Sequence, residues 1–116
     1  MSSINTQALE ALLSMLSGDK KYLVKIINCY LLESLDLVKD IQTSVINQDT
    51  DAIHKTAHKL KSSSTSLGAI NLSGLCLQLE LKGKYGNLEG VLELVSQLNN
   101  EYEQVEIALK KITQAL

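Results

Sequence analysis

The C-terminal stretch LEGVLELVSQLNNEYEQVEIALKKITQAL, residues 88–116, decides the fold class. Its apolar residues Leu88, Val91, Val95, Leu98, Tyr102, Val105, Leu109, Ile112 and Leu116 recur in steps of three and four. That spacing lines one face of an α-helix and makes a sustained seam for packing against other helices. At ~1.5 Å per residue such a helix is on the order of 40 Å long. A free-standing coiled coil would carry the same seam. The short connections elsewhere in the chain favour a closed bundle.

Four further helices are expected upstream. The first spans about Thr6 to Leu16, with Leu9, Leu12, Leu13 and Leu16 on one face, and Ser17-Gly18 breaks it. Asp19 caps a second helix from Lys20 to Val45, whose stripe is Leu23, Ile27, Tyr30, Leu37, Val38, Ile41 and Val45. A polar turn, Asn47 to Asp51, leads to a third helix from Ala52 to Leu67, stopped by Gly68. Asn71 is the expected cap of a fourth helix that runs to Lys82 and stops at Gly83. Lys84-Tyr85-Gly86-Asn87 then turns the chain, with Asn87 as the cap of the last helix. No segment alternates with the period of a strand. The expected architecture is all-α: an antiparallel four-helix bundle with a short additional N-terminal helix, forming a single domain over residues 1–116.

Composition agrees. Apolar residues make up 45% of the 116, there is no proline, and only six glycines interrupt the chain. Phe and Trp are absent, so Leu, Ile and Val must fill the core. A net charge of -2 argues against nucleic acid as a main partner. No apolar run approaches the roughly 20 residues of a membrane span. No basic stretch followed by an apolar run marks a signal peptide. Cys29 and Cys76 fall among apolar positions and read as small buried hydrophobes rather than a disulfide or metal site. The expected location is the cytoplasm.

One helix stands out chemically. The buried stripe of the third helix is Ile53, Ala57, Leu60, Ser64 and Leu67. At ~100° per residue, His58 lies about 140° from the centre of that stripe. It is therefore expected at the surface rather than in the core. His54, Lys55, Lys61, Ser62 and Thr65 are three, four or seven residues away and share its face. Lys61 places a cation one turn on, where it could attract a phosphoryl group. Ser62 to Ser66 are five consecutive Ser/Thr residues, poor helix formers that leave little bulk around the imidazole. Small residues also suit a close helix contact, with Ser64 facing inward and Ser62 outward. His54 and His58 have a metal-compatible spacing, but no third ligand accompanies them.

The run His58-Lys59-Leu60-Lys61-Ser62-Ser63-Ser64-Thr65-Ser66-Leu67-Gly68-Ala69 resembles the signature of histidine phosphotransfer (HPt) domains, His-x-Leu-Lys-Gly-Ser-Ser-x-x-Leu-Gly-Ala. The likeness extends from about Asp19 through Glu80, including Leu-Cys-Leu-Gln-Leu-Glu at 75–80. It implies that His58 carries the phosphoryl group, that Lys61 positions and neutralises it, and that Glu80 bonds the imidazole. Ser62 replaces the family's usual glycine, and Glu80 stands where many relatives carry glutamine. A carboxylate there would hold the far imidazole nitrogen protonated and leave the near one nucleophilic. It would also repel a phosphoryl group that came close.

The resemblance further implies response-regulator receiver domains as partners, with a hybrid histidine kinase as a possible source or host. His54, Lys55, Lys59, Ser62, Thr65 and Gly68 are the expected partner-facing set. No cofactor of the chain's own is expected, Mg²⁺ being supplied by the receiver. The expected carrier is a monomer without kinase activity. The alternative, from a different class, is an adaptor or dimerisation bundle with the HPt shape and no phosphotransfer.

Overall fold

The computed structural model describes residues 3–116 and contains five helices. They are α1 (Thr6–Met15), α2 (Lys20–Ile46), α3 (Thr50–Ser66), α4 (Ile70–Tyr85) and α5 (Val91–Ala115). Short connections make α2 to α5 antiparallel neighbours, and α5 closes the ring against both α4 and α2. The molecule is an elongated bundle of 43 × 22 × 21 Å. The five-helix, all-α reading therefore holds.

The starts of α1, α2 and α3 have a common cause. Asn5, Asp19 and Asp49 are each extended, and each side chain accepts from a backbone N–H three residues on, at Ala8, Tyr22 and Ala52. Each satisfies one of the orphan donors of a helix N-terminus. Because Asp49 is the cap, α3 begins at Thr50, two residues before the sequence reading placed it.

The boundaries of α4 and α5 differ more. Asn71 does not cap α4; the N-cap is Ala69, without a side-chain bond. Gly83 does not end α4 either. The helix continues to Tyr85 and stops at Gly86, whose φ of 67° is left-handed. Nor does Asn87 cap α5. Its Oδ1 accepts from Glu89 N at 3.1 Å within the turn, and α5 starts after Gly90.

Gly83 instead lets α3 and α4 approach. A Cβ there would lie 2.6 Å from His54 N and 2.7 Å from Thr50 O. Both are backbone atoms, so only separation of the helices could relieve the overlap. Gly83→Ala is therefore expected to destabilise the bundle by about 1–2 kcal/mol in urea unfolding, even after the gain in helix propensity. A neutral or stabilising effect would show that the two backbones are not in such close contact.

The core is the expected one on α3: Ile53, Ala57, Leu60, Ser64 and Leu67 are all buried. Ser64 is accommodated because Tyr30 of α2 meets it, hydroxyl to hydroxyl, at 2.7 Å. A second buried pair joins Ser34 of α2 to Tyr102 of α5 at 2.7 Å. Burial raises the pKa of both phenols, so they remain neutral hydroxyls. Cys76 is buried as expected, and burial pushes its thiol up to about 12. Cys29, in contrast, is exposed. Two helical positions from buried Ile27 amount to about 200° of rotation, which carries Cys29 to the outer face.

Asn5 and the start of α1 cover the end of the bundle where α3 turns into α4. Asn5 N donates to Gly68 O at 2.8 Å. Gly68 has a φ of 81°, and a Cβ on it would meet Asn5 O at 2.7 Å. Glycine is thus required there by conformation and by space.

Candidate functional site

The imidazole of His58 projects from α3 beside α4, with its side chain 58% exposed. Ala57 and Leu60 are on the buried side of the same turns, so packing fixes the helix while the imidazole stays accessible. His58 Nδ1 lies 3.2 Å from Glu80 Oε1. Lys61 Nζ reaches the same oxygen at 2.7 Å. Glu80 itself is only 12% exposed, held in the crease between the helices.

The charge state of Glu80 follows from these neighbours. The Lys61 ammonium bonded to it is the main cause holding its carboxyl below the usual carboxylate range. Partial burial opposes this, and the His58 bond adds to the lowering. The stabilisation that Glu80 contributes is therefore present above the ordinary carboxylate range and is lost as pH falls through its depressed value. An ionised carboxylate can only accept. Nδ1 of His58 must then be the donor, so in the neutral imidazole the lone pair falls on the outward Nε2.

His54 sits one turn before His58 and is half-buried. Its Nδ1 donates to the backbone carbonyl of Glu80 at 3.2 Å. It thus ties α4 to α3 at the residue whose carboxylate meets His58. Thr65 Oγ1 donates to Lys61 O at 2.8 Å and lies 2.8 Å from Ser73 Oγ, a second tie between the helices. Ser73 was not singled out in the sequence, although it lies seven residues before Glu80 and hence on the same face of α4.

The remaining expected positions spread out. Lys55 is exposed and paired with Asp51 at 3.0 Å. Lys59 and Ser62 are exposed, and Ser62 Oγ donates to His58 O at 3.1 Å. Gly68 departs from the expected surface set: it is buried beneath Asn5 and shapes the helix end rather than a contact surface. On the α2 side of α3, an open groove of about 460 Å³ is lined mainly by Tyr22, Ile26, Cys29, Tyr30, Ser63 and Leu67.

Among the described residues, no group of three or more His, Cys, Asp or Glu side chains could hold a metal ion. Among the same residues, no helix is long and apolar enough to cross a membrane. The bundle offers an open imidazole with one nitrogen held and the other free, next to a cation. Such a nitrogen can act as a nucleophile toward a group presented from outside the bundle.

Comparison with known proteins identifies the family. The Hpt domain model matches residues 25–108. The chain belongs to the Hpt domain family, and its function is histidine phosphotransfer within a phosphorelay. Members of the family carry phosphoryl groups between receiver domains and kinases and are not themselves kinases. The fold is that of the crystal structure of histidine-containing phosphotransfer protein B from Pseudomonas aeruginosa PAO1. The TM-score is 0.91 at 24% identity, over 98% of this chain and 96% of that one. No curated protein matches the chain at a significant level.

Proposed function

We propose that His58 is the phosphoacceptor, that Glu80 orients it and that Lys61 attends the phosphoryl group. The observation carrying this assignment is the shared Glu80 oxygen, which bonds the inner nitrogen of an exposed imidazole and the Lys61 ammonium. His54, the second histidine, has its Nδ1 committed to a backbone carbonyl and is half-buried.

The reaction is a displacement at phosphorus. A receiver domain presents its phospho-aspartate, and Nε2 of His58 attacks in line with the bond to the aspartyl oxygen. The N–P bond forms, the O–P bond breaks, and its electron pair stays on the departing carboxylate. A second receiver aspartate later takes the phosphoryl by the reverse displacement. Catalysis by the carrier is positioning plus charge stabilisation. Mg²⁺ belongs to the receiver's acidic pocket in this scheme, and the carrier needs no cofactor of its own. A receiver would cover the exposed face of α3, with Lys55, Lys59, Ser62 and Thr65 at the contact and the apolar groove beside them. A hybrid histidine kinase bearing such a receiver is the expected donor. The carrier works as a monomer. Its unpaired cysteines fit the reducing cytoplasm. No observation favours the adaptor alternative.

The direct test mixes the protein with a radiolabelled phospho-receiver. Label must arrive as an acid-labile, base-stable adduct. No label from a panel of receivers would sink the assignment. Lys61→Ala is expected to slow transfer roughly two- to tenfold, the scale of one partly exposed charge interaction, without preventing it. An unchanged rapid-quench rate would remove Lys61 from the mechanism.

A further inference from the structure

The outer nitrogen of His58 explains acceptance; the inner one bears on how long the phosphoryl stays. Glu80 Oε1 holds His58 Nδ1 at 3.2 Å and Lys61 Nζ at 2.7 Å. A glutamine at the same place could accept the Nδ1 hydrogen bond. It could not supply negative charge to the ring or an ion pair to the lysine. We propose that the Glu80 carboxylate makes phospho-His58 a short-lived adduct, poised for onward transfer, by keeping Nδ1 protonated after Nε2 has taken the phosphoryl. The proposal rests on His58 being the acceptor.

The chemistry is as follows. When Nε2 forms the N–P bond, Nδ1 still carries its hydrogen and the ring becomes cationic. In onward transfer the receiver carboxylate forms an O–P bond, the N–P bond breaks, and its electron pair returns to Nε2. With Nδ1 protonated, the leaving group is neutral imidazole. Had Nδ1 lost its proton, the leaving group would be an imidazolate anion, a far poorer one. A neighbouring carboxylate favours the cationic ring and so the reactive form. Water attacking the phosphorus benefits in the same way, so the adduct also hydrolyses faster.

Lys61 tempers the effect on the ring, because its ammonium partly offsets the Glu80 charge. Bonded to Glu80, its ammonium is divided between that carboxylate and any phosphoryl on His58. It therefore shields the phosphoryl less than a free lysine would. The groups that set the charge of Glu80 come from α3, namely Lys61 and His58. His54 engages only the Glu80 carbonyl, and Lys55 is paired with Asp51. Cys76, within electrostatic range on α4, keeps its proton because burial pushes its thiol up to about 12.

The test uses the full chain, phosphorylated from a receiver that is then removed, with decay followed by ³¹P NMR between pH 5 and 10. The pH above which the adduct becomes long-lived should lie about one unit lower in Glu80→Gln than in the wild type. Above that pH, decay should be about tenfold slower in the variant. Lys61→Met supplies an independent arm, because it leaves the carboxylate on the ring alone. Its midpoint should equal or exceed that of the wild type, and a downward shift would overturn the proposal. Coinciding profiles for wild type and Glu80→Gln, both labelled on His58, would overturn this proposal and leave the acceptor assignment intact. Absence of label from the wild type, or its persistence in His58→Gln, would overturn the acceptor assignment and this proposal with it.

Discussion

Replacing His58 by glutamine is expected to abolish phosphoryl acceptance completely while leaving the unfolding midpoint within about 0.5 kcal/mol of wild type. The two halves of this result have separate causes. The imidazole side chain is 58% exposed and contributes one hydrogen bond to Glu80, which glutamine's amide can replace. Glutamine is also a good helix former, so α3 loses nothing in propensity. The chemistry, however, requires a nitrogen lone pair that can attack phosphorus. The amide nitrogen has its pair delocalised into the carbonyl and cannot serve. Label transfer from a phospho-receiver and urea unfolding, measured on the same preparation, check both halves. Retained labelling would move the acceptor elsewhere, and His54 would be the next histidine to replace. Loss of folding would mean that His58 is a structural residue.

Two residues further along α3, Leu60→Ala should do the opposite. Leu60 is fully buried, and truncating a buried leucine costs roughly 2–5 kcal/mol through lost transfer energy and the cavity left behind. That is a large share of the ~5–15 kcal/mol available to a domain of ordinary stability. Thermal unfolding should shift down by roughly 10 °C or more. Phosphoryl acceptance, assayed well below the new midpoint, should persist, because Leu60 points about 200° around the helix from His58. A loss under about 1 kcal/mol would contradict the tight packing of this position. Together the two variants separate the faces of α3: one face holds the bundle, the other meets the partner.

The contrast shows what periodicity can reveal. His58 was separable from the core because Ile53, Ala57, Leu60, Ser64 and Leu67 define a stripe and the histidine falls off it. All five proved buried, Ser64 included. The burial of a serine on that stripe could be inferred from spacing, but its partner Tyr30 could not, since 34 residues separate them. Apolar neighbours in the sequence suggest burial for Cys29, whereas its angle on α2 carries it outward. Element ends were legible where a side chain performs the capping, at Asp19 for example. They were not legible at Ala69 and Gly90, where no side-chain bond marks the start.

By itself the sequence determined the helical class, the order and approximate extent of five helices, and the face of α3 on which His58 lies. These depend on local periods and on residues within a few positions of one another. The resemblance at His58 to Ala69 pointed to phosphotransfer by the same local route. Only the tertiary structure decided that Gly83 brings the two backbones together and that His54 ties down the Glu80 carbonyl. It alone placed one carboxylate oxygen on both the inner nitrogen of His58 and the Lys61 ammonium. Those contacts join residues 19 or more positions apart, and their geometry depends on how closely α3 and α4 pack, a distance that no local pattern encodes.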